Sequence, residues 1–227
     1  MRTAVGVGLG SRWPESAAAV SIALMNRVLL RRMLLGAVLA SGGLVAACAG
    51  QAAVQPAHTQ VVTASAFVRA TQRAFSFTQG HGGAVMYVYF DPNCIYCHEL
   101  YDHLQKYIRA GQVTVSWIPV AFLKRDSVGK AEAILAAPDP ARALARNEEG
   151  FDEASEEGAI APAVNPATAV VAAIYFNTRL LSGTGRLATP TLVFADRTQG
   201  VQIIPGMPQN MGPIIRNLVS LPAVPGN

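Results

Sequence analysis

Cys94 and Cys97 stand three apart in the run Tyr87-Val-Tyr-Phe-Asp-Pro-Asn-Cys-Ile-Tyr-Cys-His-Glu-Leu100. Two thiols at that spacing, at the start of a helix, face each other closely enough to close a small disulfide. The first sulfur lies at the positive end of the helix dipole, which favours its thiolate. A lowered thiol pKa gives a better leaving group and a nucleophile that is available near neutral pH. In this reading Cys94, the outer thiol, attacks or receives a partner sulfur. Cys97, one turn in and buried, resolves the mixed disulfide by attacking Cys94. The spacing alone also fits a buried or metal-binding pair. Cys94-Ile-Tyr-Cys97-His98 is moreover the C-x-x-C-H pattern of c-type haem attachment, with His98 as axial ligand and Met207 or Met211 as the sixth. Cu(I) or Zn on Cys94, Cys97 and His98 or His103 is the metal alternative. Helical geometry turns His103 away from the sulfurs, and a structural zinc site wants four ligands where no second C-x-x-C exists. His98 is more simply a first-turn residue whose protonated ring would lower the Cys94 pKa.

The elements that must position these residues can be read in order. Ala84 to Phe90 is a nearly continuous apolar run, the mark of a buried central strand. Asp91-Pro92-Asn93 stops it, with Asn93 as the expected N-cap of a helix from Cys94 to Arg109. Leu100, Leu104, Tyr107 and Ile108 fall on one side of that helix, and Gly111 ends it. Val113 to Val120 is a second strand. Upstream, Phe67, Val68, Ala74 and Phe75 predict a helix over Ser65 to Phe77, broken by Gly80-His81-Gly82-Gly83. Downstream, helices are expected over Ser127 to Ala137, from Pro138-Asp139-Pro140 to Asn147, and over Pro166 to Leu181. The acidic run Glu148 to Glu157 reads as a solvated helix face or loop. Thr191 to Ala195 and Val201 to Ile204 are strands paired across the turn from Asp196 to Gly200, and Gln209 to Val219 is a final helix. Pro190, in Ala188-Thr-Pro-Thr-Leu-Val-Phe194, sits at a strand mouth, where no ladder donor is required. It makes either a plain trans turn or a cis bond, a conformation accessible to proline. His58 and His81 fall in tether and loop and are read as solvated.

Met33 to Ala47 carries no charge and follows Arg27, Arg31 and Arg32, the pattern of a secretory signal. It is too short and too Gly-rich for a comfortable membrane span. Val45-Ala-Ala-Cys48 resembles the bacterial lipoprotein box, in which the cysteine becomes the lipidated first residue. That would account for the odd total of three cysteines; cleavage nearby would instead leave Cys48 free. A start at Met25 gives a leader of normal length. The expected organisation is an upstream extension over 1–24, a lipoprotein-type signal peptide over 25–47, a tether over 48–61, one catalytic domain over 62–221 and a tail over 222–227. Arg31-Arg32 leaves a twin-arginine export route open. The formal charge of +4 belongs to targeting, because 13 basic and 13 acidic residues follow Cys48. No basic patch argues for nucleic acid. Export would place the cysteine pair where disulfides form and persist.

Three separated pieces carry a family resemblance: Asp91-Pro-Asn-Cys-Ile-Tyr-Cys-His-Glu-Leu100, Ala133-Ile-Leu-Ala-Ala-Pro-Asp-Pro140 and Ala188-Thr-Pro-Thr-Leu-Val-Phe194, with Pro205-Gly206 beyond them. Over about residues 62 to 220 the chain resembles the periplasmic thiol–disulfide interchange proteins of the DsbC/DsbG branch. The resemblance implies an α/β, thioredoxin-like fold with a helical insertion between the second strand and the cis-proline strand. It implies that Cys94 is the nucleophile, Cys97 the resolving thiol, and Ile95 and Tyr96, beside His98, the residues that tune the potential. Thr189-Pro190 would be a cis-proline loop whose Thr189 backbone offers a short edge to a substrate peptide. No prosthetic group is then needed, since a Cys94–Cys97 disulfide is the redox centre. Partners would be exported proteins with thiols or disulfides and a membrane electron donor. Two departures matter. About 45 residues separate Cys48 from Cys94, too few for the branch's dimerisation domain and linker helix. A monomer tethered by lipid to a bacterial membrane in the periplasm is therefore expected, with reduction or oxidation favoured over isomerisation. Thioredoxin's buried acid, six residues before its first cysteine, is replaced here by Val88. The Cys97 proton must then travel by another route, through water or Glu99.

Overall fold

A computed structural model describes residues 63–223. The expected segments 1–24, 25–47 and 48–61, with Cys48 and His58, lie outside the described residues. Among the described residues no helix is long and apolar enough to cross a membrane.

The chain runs α1 (Ala64–Thr71), β1 (Phe77–Gln79), β2 (Ala84–Phe90), α2 (Ile95–Arg109), β3 (Val113–Pro119), α3 (Ser127–Leu135), α4 (Pro140–Glu149), α5 (Thr168–Ser182), β4 (Thr191–Asp196), β5 (Gly200–Pro205), α6 (Met211–Asn217) and β6 (Leu218–Val219). The sheet order is β1-β3-β2-β4-β5, with β6 also on β4. β2 and β3 are parallel; β2–β4, β4–β5 and β1–β3 are antiparallel. β2 therefore lies in the middle, which is why its seven residues are almost uniformly apolar.

Alternation along β2 divides the core into two layers. Met86, Val88 and Phe90 face α2 and meet Leu100, Leu104 and Ile108. Tyr89 faces the other way, toward Phe67, Ile118 and Val193. The Tyr89 ring stacks on Phe67 at 5.6 Å, and its hydroxyl is 2.8 Å from that of Thr71. The insertion expected between the second strand and the proline-led strand is α3, α4 and α5.

Two expectations are corrected. The helix predicted over Ser65 to Phe77 stops at Thr71, and Phe77–Gln79 is a strand. Phe77 pairs with Trp117 and packs edge-on against Phe90 at 6.3 Å, so the sheet recruits an aromatic that local periodicity had given to a helix. The final helix is shorter than Gln209 to Val219. It starts where the Asn210 side chain accepts from the Gly212 N–H at 2.9 Å, and it ends where Leu218 and Val219 pair with β4.

Candidate active site

The sheet register brings the two halves of the site together. Phe90, the last residue of β2, is two beyond Val88, which pairs with Leu192, while Tyr89 pairs with Thr191. The segment after β2 and the segment before β4 therefore meet at one sheet end. Cys94 Sγ lies 3.4 Å from the Thr189 carbonyl oxygen and donates to it. The Thr189–Pro190 bond is cis. The Gly206 N–H, on a residue with φ +88°, donates to the Pro190 carbonyl at 2.6 Å. A left-handed backbone of that kind favours glycine, which gives Pro205-Gly206 a structural task beside Pro190.

Cys94, not Asn93, caps α2. Its Sγ accepts from the Cys97 N–H at 3.3 Å. The Asn93 side chain is occupied elsewhere: its amide donates to Asp126 Oδ1 at 2.9 Å and Ser127 Oγ at 3.1 Å, and its oxygen accepts from Lys130 Nζ at 2.9 Å and the Gly158 N–H at 3.2 Å. Asp91, which precedes it by two, is buried and accepts four bonds. Oδ1 takes the Asn93 N–H and Ser127 Oγ; Oδ2 takes the Phe122 and Leu123 N–H groups. Lys130 also meets Asp126 at 2.8 Å. This knot ties the turn before Cys94 to α3.

Both cysteines are free thiols and both are nearly covered, at 4% and 2% exposure. Their acidities diverge because their surroundings do. The Cys94 thiol is held below its ordinary value, first by a hydrogen bond from Cys97, which outweighs burial. The Thr189 hydroxyl and the Cys97 N–H help, and the Asp91 charge opposes. The Thr189 hydroxyl is buried without a formed hydrogen bond, so a Cys94 thiolate would supply the acceptor it lacks. Cys97 is pushed well above its ordinary value, first by burial and then because it keeps its proton to donate a hydrogen bond to Cys94; the nearby Glu148 charge adds to the rise. Of the intervening pair, Ile95 is half-buried and Tyr96 is 55% exposed.

His98 does not turn toward Cys94. Its Nδ1 is 3.2 Å from Glu148 Oε2, its Nε2 is 4.0 Å from Asp102 Oδ2, and its ring stacks on Phe151 at 4.7 Å. The Glu148 bond holds its pKa above the usual imidazole value. Glu148 corrects the reading of the acidic run as solvated: it is 3% exposed, and burial raises its own pKa despite the bonds from His98 and Asn147. The rest of the run, Glu149, Asp152, Glu153, Glu156 and Glu157, is exposed as read. A signal for Glu148 was present. It lies four residues after Leu144, on the buried face of α4. Glu99 is exposed, on the solvent side of α2, as are His81 and His103. Met207 is partly buried and Met211 buried, both packed with the α2 side of the core. Among the described residues no group of three or more His, Cys, Asp or Glu is placed to hold a metal ion.

The chain is 30% identical over 125 residues to the thiol:disulfide interchange protein DsbG of Pseudomonas aeruginosa, covering 55% of this chain and 47% of that protein. It is 24% identical over 124 residues to the DsbG of Escherichia coli, covering 55% and 48%. The chain thus spans about half the length of the curated relatives it matches. Among solved structures, a periplasmic thioredoxin-like protein from Salmonella enterica serovar Typhimurium gives a TM-score of 0.48 at 23% identity, over 62% of this chain and 87% of that one. A disulfide interchange protein from Neisseria gonorrhoeae gives 0.47 at 24%, over 64% and 95%. The family model of a thioredoxin-like domain matches residues 71–211, a span that holds β2, the cysteine pair, the helical insertion and Pro190. With its central strand, cysteine-capped helix and cis-proline strand accounted for in one match, the chain belongs to the thioredoxin-like domain family.

Proposed function

We propose that this chain is an envelope thiol–disulfide oxidoreductase that exchanges disulfides with, or reduces oxidised cysteines in, exported proteins. The observation that carries the reading is the asymmetry of the two sulfurs. Cys94 is held as the better thiolate at a helix N-terminus beside the Thr189 carbonyl, while Cys97 is kept protonated one turn in. Cys94 attacks one sulfur of a substrate disulfide and displaces the other as a thiolate, leaving a mixed disulfide. Cys97 then attacks Cys94, forming the Cys94–Cys97 disulfide and releasing the substrate thiolate. The reverse sequence oxidises the substrate. Thr189 and Pro190 present backbone for a substrate peptide, exposed Tyr96 supplies an apolar contact beside Cys94, and Ile95 with Tyr96 sets the potential. No prosthetic group enters the scheme.

The cellular setting is proposed on the sequence. The Val45-Ala-Ala-Cys48 box supports lipidation of Cys48 and a periplasmic membrane tether, and the short stretch between Cys48 and Cys94 supports a monomer. A membrane donor would return electrons if the pair works reduced. The haem alternative needs a free axial His98, and that ring is engaged with Glu148, Asp102 and Phe151.

A redox titration of the full chain in glutathione and dithiothreitol buffers tests the reading, with thiol state read by alkylation and mass. The expected result is one reversible two-electron transition between about −120 and −270 mV. Cys94→Ser should abolish turnover and Cys97→Ser should trap mixed disulfides. Full activity in Cys94→Ser would overturn the mechanism.

A further inference from the structure

Resolution requires Cys97 to lose a proton inside the protein, because its sulfur is covered and only its thiolate attacks. β2 supplies no acid for this: Val88 is fully buried among apolar neighbours. Two buried carboxylates flank the start of α2, and their hydrogen bonding separates them. Asp91 has two donors on each oxygen, so no lone pair is left for a proton. Glu148 has one partner on each, Asn147 Nδ2 donating to Oε1 at 3.0 Å and His98 Nδ1 at 3.2 Å from Oε2, where the imidazole tautomer decides which group donates. It keeps acceptor capacity on both oxygens.

Glu148 is also fixed in place. Asn147 Nδ2 donates to the Pro92 carbonyl at 3.0 Å, and its oxygen accepts from the Ile160 N–H at 3.3 Å, which clamps the end of α4 to the turn before Cys94. His98, next to Cys97 in the chain, spans the gap between buried Glu148 and Asp102, whose side chain is 63% exposed. Imidazole can accept at one nitrogen while donating at the other.

We propose that Glu148 is the proton acceptor for Cys97 during resolution, and that His98 passes the proton on toward Asp102 and solvent. This role rests on the thiol–disulfide reading above. The Cys97 proton moves to the Glu148 carboxylate directly or through one water. The Cys97 thiolate then forms the Cys94–Cys97 bond as the bond from Cys94 to the substrate sulfur breaks, and the substrate leaves as a thiolate. The two electrons lost by the cysteine pair reduce the substrate, and the proton on Glu148 passes to Nδ1 of the Nε2–H tautomer of His98 as Nε2 releases its own proton toward Asp102. Other charges face this path: Asp102 on α2 acts on both Glu148 and His98, and Glu153, beyond α4, acts on His98. Burial raises Glu148 toward the thiol range, which suits exchange with a thiol.

The test uses the full chain charged at Cys94 with a peptide disulfide, and follows release of the peptide against pH. In Glu148→Gln, release should slow by roughly 100-fold near pH 7 and climb about tenfold per pH unit, as hydroxide replaces the lost acceptor. Glu148→Asp should recover part of the rate, and His98→Gln should slow release by roughly 10-fold. Attack by Cys94 is timed separately, on the uncharged form of each variant mixed with the same peptide disulfide. Release in Glu148→Gln within twofold of the parent, or equal slowing of both steps, overturns the proposal. Failure of Cys97→Ser to trap any peptide would instead remove the thiol–disulfide reading beneath it.

Discussion

Two buried polar clusters flank the start of α2, and the inserted helices build both. Around Asp91, Asn93 and Lys130 the bonds close on themselves, and both Asp91 oxygens are filled by donors from the active-site turn, α3 and the segment after β3. Around Glu148 the chain of contacts is open. It begins at a half-filled carboxylate, passes through one imidazole and ends at an exposed Asp102. The two carboxylates, Asp91 and Glu148, are buried nearly alike, so burial does not tell their tasks apart. The number of unused acceptors does. A saturated carboxylate holds backbone in place, and an unsaturated one has room for a proton.

Breaking the closed cluster should have the largest effect. Asp91→Ala removes the acceptor for Phe122, Leu123, Asn93 and Ser127 at once, and each orphaned buried donor costs about 1–3 kcal/mol. A loss of more than about 3 kcal/mol in urea unfolding is expected; a loss under about 1 kcal/mol would show that water refills the site. Gly158→Ala strikes where the clusters touch. The Gly158 N–H bonds Asn93, while an added Cβ would collide with the Asn147 amide and the Pro92 carbonyl. It should cost about 2 kcal/mol and slow thiol exchange as well. Lost stability with unchanged exchange would separate the clusters.

Lys130→Met keeps the aliphatic volume and removes the ammonium from Asp126 and Asn93. About 1–2 kcal/mol should be lost near neutral pH. Burial works to raise the Asp126 pKa, but Lys130 and Asn93 bring it below its ordinary value. A depressed carboxylate adds stability that is present above its unfolded pKa of 3.8 and lost as pH falls through the lower folded value. In Lys130→Met this component of the acid-side loss should shrink, which denaturant titrations between about pH 2 and 5 would detect.

The frame of the molecule was legible because it rests on local patterns. The run Ala84 to Phe90 is a strand to the residue, since a strand buried on both faces is apolar throughout. Cys94 and Cys97 announced themselves by spacing, and Pro190 by its place at a strand mouth. Neither closed nor open cluster was readable in the same way, because each depends on partners 30 to 65 residues away along the chain, such as Asn93 with Gly158. Asn93 looked like a helix cap because Asn caps by local bonding, and tertiary partners outcompeted that role. Phe77 went to the sheet for the same reason. Glu148 was hidden by its company: five exposed acids follow it, and only its spacing from Leu144 marked it as inward-facing.

The smallest expected effect tests the open cluster without chemistry. The Glu148 bond raises the His98 pKa above 6.5. Such a shift adds stability that is whole below pH 6.5 and is lost as pH rises through the folded value. Glu148, raised from 4.5 by burial, works in the same sense and loses its contribution from that pH upward. Comparing the parent with His98→Gln isolates the imidazole, because the cysteine titrations are common to both. The melting-temperature gap should be widest near pH 6, at about 2 °C for a solvent-screened pair of roughly 0.5 kcal/mol, and should close toward pH 9. A gap that stayed constant across that range would assign His98 to stacking on Phe151 alone and leave Glu148 without a charged outlet, making the open cluster as closed as its neighbour.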